Sequence, residues 1–249
     1  MSGSQLINHE IPPIPLIITI FWSTLLIYQV NSRTKFNLLS KSSYKELNFK
    51  ADRILISYLV ILLILCMHVL LLDLPIVIYL LHLGILSTMY NVPRKSNGIV
   101  KFPLRSIPFL KILLIAYVWA SLFAILPIII SSNDQKLSDT LFMFAAHFLF
   151  IVSITLPFDI RDFKTDQENL LPTIPHVVGI KLAKALSLLC LTIFYLMMLP
   201  SLGPIYLTVL YLITAGLIIF SSSRRKNYYF TLFIDGTIIL YYIAIQLSG

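Results

Sequence analysis

The amino-acid sequence predicts an all-α protein: a polytopic membrane bundle of about eight transmembrane helices that forms a single domain over residues 1–249. Of the 249 residues, 58% are apolar and only 12% are charged, about half the charged share of a soluble domain. The mean hydropathy is +0.88. These values exclude an ordinary soluble globular domain and a disordered chain. Two further observations, the apolar runs and the placement of the cations, lead to the helix count.

The apolar residues fall into runs of the length that a membrane requires. A bilayer core about 30 Å thick needs roughly 20 apolar residues per helix, and the runs are continuous, as transmembrane helices require. The third run is short, and Asp73 and Pro75 predict a tight turn before it. The predicted spans are residues 11–30, 54–72, 74–90, 108–130, 137–157, 183–199, 204–221 and 228–247.

The positive charges segregate into alternate connections between these spans. Residues 31–53 carry six Lys or Arg, residues 91–111 carry five, residues 159–184 carry four and residues 224–226 carry three, which leaves Lys136 as the remaining cation of 19. The positive-inside rule then predicts four cytoplasmic connections and both termini outside, in a bacterial inner membrane. This segregation explains the net charge of +8 by contact with membrane lipid, without nucleic acid.

An acidic connection follows the fifth predicted span. Asp159, Asp162 and Asp166 are spaced i, i+3, i+7, so they share one face if the helix continues through Pro157. Three like charges on one face repel each other unless a positive group lies there. Mg²⁺ takes oxygen ligands and is commonly held by one or two carboxylates together with substrate phosphates.

Cations flank these carboxylates. Arg161, Lys164, Lys181 and Lys184 would neutralise a bound diphosphate. By position, Arg94 could also contact a diphosphate, although topological anchoring explains it equally well. The alternative for the whole connection is a solvated acidic loop balanced by neighbouring lysines.

One aspartate and three histidines inside the predicted spans are candidate functional residues. Asp235 lies about two turns into the last span, where a charge is costly and often functional; a structural hydrogen bond and a partner cation are both open. His147, His68 and His82 are predicted to be hydrogen-bonded packing residues, with proton carriage as the alternative.

The acidic stretch resembles the second aspartate-rich motif of the UbiA prenyltransferase superfamily. Asp159, Asp162, Asp166, Thr173 and Gly179 match that motif position by position. The stretch 104–112, which leads to Trp119 and Pro127, is similar to the start of the family's fifth helix in a divergent branch.

The resemblance implies helices arranged around a lipid-open cavity, with acidic loops that bind Mg²⁺ and the diphosphate of a polyprenyl donor. It assigns catalytic and metal-binding roles to Asp159, Asp162 and Asp166. The residues expected to contact the diphosphate are Arg161, Lys164, Arg94 and Asn31. The prenyl group would pass to a hydrophobic, aromatic or other, acceptor.

The sequence departs from the family in two places. The first aspartate-rich motif should lie near residues 28–35, where there is no acid, and Asn31 or Gln29 would have to supply a neutral oxygen. The family has nine helices where this chain shows eight spans. The family's first helix is therefore expected to be absent, or to lie upstream of Met1.

The sequence therefore predicts a Mg²⁺-dependent UbiA-type intramembrane prenyltransferase with an unidentified acceptor. The first alternative is a non-catalytic lipid- or partner-binding membrane protein on the same scaffold, which the missing acidic motif favours. The second is a small transporter with Asp235 and the histidines as a proton path.

Overall fold

The structure is a computed structural model. It describes the backbone of residues 13–39, 44–89, 94–96, 99–101, 107, 109–131, 136–168 and 172–248, and their side chains except those of residues 28–55, 89–101 and 131. Contacts divide the chain into two compact units, with the boundary between Leu104 and Arg105. Each unit is described separately below.

The unit formed by residues 10–104 contains three helices: α1 (Ile14–Leu39), α2 (Tyr44–Val69) and α3 (Leu74–Met89). Helix α1 packs against both α2 and α3. Two strands of three residues each, β1 (Arg94–Ser96) and β2 (Ile99–Lys101), pair antiparallel within a stretch predicted to be a connection. The sequence between them is Asn-Gly, the pair most favoured in two-residue hairpins.

In the described residues of the unit from Arg105 onward, all regular secondary structure is helical. Its helices are α4 (Leu110–Ala124), α5 (Leu126–Ser131), α6 (Leu137–Glu168), α7 (Ile174–Val178), α8 (Ile180–Met198), α9 (Pro204–Ile219) and α10 (Gly236–Ser248), with a π-helical segment (Tyr229–Ile234) directly before α10.

Helix α6 lies at the centre of this second unit. It packs against α4 and α8, while α9 packs against α8 and α10. The largest fully buried side chains include Phe150 of α6, Phe194 of α8 and Phe230 of the π segment. Aromatic rings from three separate helical elements therefore fill the core around α6.

The outer faces of the helices are apolar. Large side chains such as Leu70, Ile205 and Leu232 are more than 60% exposed, which in a protein of this composition places them against lipid rather than water. Four helices, Leu110–Ile130, Leu137–Glu168, Ile180–Met198 and Tyr229–Ser248, are long and apolar enough to cross a membrane, and four shorter apolar helices lie in the remaining predicted spans. The predicted membrane helical bundle is confirmed.

A proline interrupts the predicted span 108–130. Pro127 has no N–H to donate to the carbonyl four residues earlier, and the chain leaves the α-helical pattern at Ile125, where α4 ends and α5 begins. The helical span Leu110–Ile130 is therefore interrupted at Ile125, and its two parts are labelled α4 and α5.

A second proline is accommodated without a break. Pro157 lies inside α6, and its missing N–H leaves the Ser153 carbonyl without its helical donor. The Ser187 hydroxyl of α8 donates to that carbonyl at 2.5 Å, with both serines fully buried. A neighbouring helix thus satisfies the freed carbonyl, as membrane helices with internal proline require.

This contact predicts the effect of removing one hydroxyl. We expect Ser187→Ala to lower the free energy of unfolding by about 1 kcal/mol, because it leaves a buried carbonyl unpaired. Thermal denaturation in detergent measures the change. Ser153→Ala is the matched control, since its hydroxyl bonds only the Phe150 carbonyl of its own helix, and an equal loss in both variants would contradict the argument.

Candidate functional site

The carboxylates predicted from the sequence lie at the carboxyl-terminal end of α6. The helix continues through Pro157 to Glu168, so Asp159, Asp162 and Asp166 share one face, as expected. Asp159 and Asp166 are buried, at 2% and 5% exposure, and Asp162 is about one-third exposed. This segment presents acidic oxygens over about 10 Å of helix.

Lys111, in the first turn of α4, holds the first of these carboxylates. Its Nζ donates to Asp159 Oδ1 at 2.7 Å, and the side chain of Lys111 keeps 30% of its surface exposed against 3% for Asp159. Helix α4 begins after Phe109, which has a φ of 69°, an uncommon left-handed conformation for a residue with a side chain. Helix α4 packs against α6, so Lys111 lies beside Asp159.

Arg161 holds the second carboxylate through a two-pronged contact. Its Nε donates to Asp162 Oδ1 at 2.7 Å and its Nη2 donates to Oδ2 at 2.9 Å. This fork geometry is the strongest form of carboxylate binding by arginine. Both oxygens of Asp162 are thereby engaged by one guanidinium.

The remaining contacts of Arg161 come from Phe158 of its own helix and from the chain after α9. Its Nη1 donates to Asn227 Oδ1 at 2.8 Å. The guanidinium carbon also lies 5.0 Å from the ring centroid of Phe158 and 5.7 Å from that of Phe230, within the distance of a cation–π contact. Arg161 therefore links α6 to the π-helical segment.

Asp166 and its neighbours do not form a closed metal cage. Within the described residues, no three His, Cys, Asp or Glu side chains come close enough together to hold one metal ion. Asp159 and Asp162 are each bound to a cation, and Lys164 is exposed. The carboxylates share a helix face, but they do not converge on a common point.

The short helix α7 follows the acidic end of α6 in the chain. Thr173 precedes it in an extended conformation, and the Thr173 hydroxyl is buried without a hydrogen-bond partner among the described residues. Gly179 joins α7 to α8 at φ 85° and ψ 157°, a region that is accessible essentially only to glycine. Gly179 thus has a local structural reason for its identity, whereas Thr173 offers a buried hydroxyl that no described residue binds.

Comparison with known proteins identifies the fold. The model of the UbiA prenyltransferase family matches residues 48–230, which is most of the chain. The chain belongs to the UbiA prenyltransferase family. Proteins of this family are integral membrane proteins, in agreement with the apolar helices.

Solved structures of UbiA homologues share the fold. The apo structure of a UbiA homologue from Aeropyrum pernix K1 matches at TM-score 0.63 and 17% identity, over 98% of this chain and 94% of that chain. A UbiA homologue from Archaeoglobus fulgidus bound to GPP and Mg²⁺ matches at TM-score 0.56 and 12% identity, over 94% and 85%. Among curated protein sequences, none matches significantly.

Two diphosphate contacts predicted for this UbiA family member cannot be placed beside the acidic face. Asn31 lies in α1 and Arg94 in β1, and both side chains lie outside the described residues. Gln29, the other neutral candidate, also has an undescribed side chain. Their roles stay predictions.

Sequence analysis missed two residues of the candidate site. Lys111 was counted among the cations that anchor topology, and Asn227 was not singled out. The signal for Lys111 was its place in the second stretch that resembles the UbiA superfamily. For Asn227 there was no signal, because its contact with Arg161 spans 66 positions.

Two of the histidines inside the spans, His147 and His68, are hydrogen-bonded, as predicted. His147 Nδ1 donates to the Met143 carbonyl at 2.6 Å, so its Nε2 accepts from the Tyr241 hydroxyl at 3.0 Å. His68 bonds the Ile64 carbonyl at 2.8 Å. Both imidazoles therefore form hydrogen bonds with their own helix, and that of His147 also forms one with Tyr241 of α10.

Proposed function

We propose that this UbiA family member transfers a prenyl group from a polyprenyl diphosphate to a hydrophobic acceptor in a Mg²⁺-dependent reaction. The observation that carries the proposal is the acidic face of α6, where two of three carboxylates are bound to cations from the same unit. A similar fold, from Archaeoglobus fulgidus, is bound to GPP and Mg²⁺, which supports a diphosphate donor.

The ligands available at the acidic face suit Mg²⁺. Asp159, Asp162 and Asp166 offer hard carboxylate oxygens, and Thr173 offers a buried hydroxyl with no partner among the described residues. Mg²⁺ is usually held by one or two carboxylates plus substrate phosphates, so three converging side chains are not needed. When bound, the ion would neutralise charge on the departing diphosphate.

Lys111 and Arg161 supply the positive charge for the diphosphate. Each is already held in place by a carboxylate, so little side-chain freedom is lost when phosphate oxygens arrive. With Mg²⁺ bound, Asp159 and Asp162 would share their oxygens with the ion, and Lys111 and Arg161 would contact phosphate oxygens from the positions that these carboxylates give them. Catalysis in this proposal is electrostatic: the C–O bond of the donor breaks and the developing charge on diphosphate is stabilised.

The remaining contacts extend this proposal. Exposed Lys164 would bind the outer phosphate, and we keep Arg94 and Asn31 as proposed diphosphate contacts on the strength of the family resemblance. The match to the family model runs across both compact units, which supports one transmembrane prenyltransferase-like domain over residues 1–249. We place the acidic segment 159–168 on the cytoplasmic side and both termini outside, in a bacterial inner membrane, from the charge segregation.

One alternative keeps specific support. No acid occurs between residues 11 and 45, so the family's first aspartate-rich motif is missing, which favours a non-catalytic protein that binds lipid or a partner on this scaffold. The transporter alternative has less support, because His147 and Tyr241 bond to each other in the core.

A binding experiment separates these functions. Purified protein is titrated with geranyl thiolodiphosphate, a non-hydrolysable donor analogue, with Mg²⁺ and with EDTA. We expect Mg²⁺ to tighten binding at least about tenfold, which corresponds to about 1.4 kcal/mol. A folded protein that binds the analogue in neither condition would refute the proposal and leave the non-catalytic alternative.

A further inference from the structure

Positive charge collects at the carboxyl-terminal end of α9. Lys184 of α8 donates from its Nζ to the Ile219 carbonyl at 2.7 Å, and Arg225 donates from its Nε to the Phe220 carbonyl at 3.3 Å. The carboxyl-terminal end of a helix carries partial negative charge and leaves carbonyls without helical donors. Lys184 and Arg225 therefore have a structural role, because they satisfy the end of α9 and hold the start of α8 beside it.

Three further cations join these two without such a role. Lys181 lies three positions before Lys184, on the same side of α8, while Arg224 and Lys226 flank Arg225 in the chain. All three side chains are exposed, and no described residue binds them. The basic cluster, as we call this group, consists of Lys181, Lys184, Arg224, Arg225 and Lys226. Its like charges repel each other, and the end of α9 offsets the charge of only two.

The neighbouring sequence supplies no acid to the basic cluster. Residues 169–234 contain neither Asp nor Glu. Hydrogen bonds connect one carboxylate to this part of the chain: Asn227 accepts from Arg161, and Arg161 engages both oxygens of Asp162. Asp162 is thus already neutralised by its own arginine. The charge of the basic cluster fits an anion from outside the described part of the chain.

Apolar side chains lie next to the basic cluster in the chain and are exposed. Ile219, Phe220 and Tyr228 expose 51%, 64% and 57% of their surfaces. Tyrosine is typical of the boundary between membrane and water, and basic pockets between membrane helices bind anionic lipid headgroups. A lipid would cover the apolar side chains with its acyl chains while its headgroup meets the cations, whereas a free phosphate would meet the cations alone.

We propose that the basic cluster is a binding site for an anionic phospholipid, whose phosphate lies between the start of α8 and the connection after α9. The three cations without a described partner contact the phosphate oxygens. The acyl chains lie along the exposed apolar side chains at the end of α9. Lys184 and Arg225 stay on the α9 carbonyls and add their charge. The site does not depend on the proposed prenyl transfer, since it uses none of the carboxylates of α6.

The test is lipid binding to the purified protein in detergent, measured by native mass spectrometry. Dioleoylphosphatidylglycerol is compared with dioleoylphosphatidylcholine, which has the same acyl chains and a phosphate but no net charge. We expect wild type to bind phosphatidylglycerol at least about tenfold more tightly. Each Lys or Arg near an anionic lipid contributes about fivefold in affinity, so Lys181→Gln, Arg224→Gln and Lys226→Gln combined should weaken phosphatidylglycerol binding at least about tenfold.

A charge-preserving variant is the matched control. Lys181→Arg, Arg224→Lys and Lys226→Arg combined should bind phosphatidylglycerol as wild type does. A triple glutamine variant that does not fold is replaced by Arg224→Gln, which should weaken binding about fivefold. Equal binding of the two lipids by wild type, unchanged binding by the glutamine variant, or an equal loss in the charge-preserving variant would each overturn the proposal.

Competition experiments identify the source of the bound phosphate. Glycerol phosphate carries the same chemistry without acyl chains, and geranyl thiolodiphosphate stands for the donor, to which the sequence also assigned Lys181 and Lys184. We expect neither compound to displace phosphatidylglycerol at equal concentration. Displacement by glycerol phosphate would indicate a soluble ligand, and displacement by geranyl thiolodiphosphate would assign the basic cluster to the donor site. Either result overturns the lipid site.

Discussion

Asp162→Ala is expected to abolish the Mg²⁺ dependence of prenyl diphosphate binding. Because even residues that only orient metal ligands are worth about 10–100-fold in affinity, loss of a ligand should weaken Mg²⁺-dependent binding at least about 100-fold. The variant also releases Arg161, whose fork to Asp162 is lost. Binding of the analogue in EDTA should therefore stay unchanged or become tighter, while the advantage conferred by Mg²⁺ disappears.

The comparison of the two conditions makes this result specific. General damage to the fold would weaken binding in EDTA and in Mg²⁺ alike, whereas loss of a metal ligand acts only in Mg²⁺. Asp139→Ala removes a carboxylate from the other end of the same helix and should behave as wild type. An Asp162→Ala protein that retains the full effect of Mg²⁺ would show that Asp162 is not a ligand.

Lys111→Met is expected to destabilise the protein by about 2–3 kcal/mol. Removing one partner of a buried ion pair typically costs about 3–5 kcal/mol, because the other charge stays buried and unpaired. We expect a loss below this typical range because the Lys111 side chain is 30% exposed and solvent weakens the ion pair, although the Asp159 side chain is only 3% exposed. Thermal unfolding in detergent, monitored by circular dichroism, measures the change.

Two further variants test the physical reason. The double variant Lys111→Met with Asp159→Leu should recover most of the lost stability, since apolar groups of similar size replace the whole pair. Lys181→Met removes an exposed lysine of α8 and should change stability by no more than about 0.5 kcal/mol. Equal losses in Lys111→Met and Lys181→Met would mean that the ion pair does not stabilise the fold.

The fold could be predicted from the sequence because lipid imposes a simple constraint. Each membrane helix needs a long apolar run. The run at 183–199 corresponds to α8 within a few residues, and α6 begins with the run at 137–157 but continues beyond it to Glu168. The position of Asp159, Asp162 and Asp166 on one face also followed directly, because helical periodicity fixes it once α6 continues through Pro157.

The partners of those carboxylates could not be predicted in the same way. Lys111 and Asp159 are 48 residues apart, and Arg161 and Asn227 are 66 apart, so the contacts depend on how helices pack rather than on local pattern. The π turn before α10 is equally hidden. An apolar run predicts that a helix forms, but it does not show where one turn of that helix is π-helical, with a hydrogen bond across five residues instead of four.

The bond between Ser187 and the Ser153 carbonyl has a consequence for biogenesis. As the chain is synthesised from its amino terminus, α6 enters the bilayer with one carbonyl that its own backbone cannot satisfy. The hydroxyl that completes it is made 34 residues later. Because an unsatisfied carbonyl in hydrocarbon costs several kcal/mol, α6 and α8 should associate as soon as α8 is inserted, which makes this helix pair an early assembly intermediate on which the acidic end of α6 is later completed.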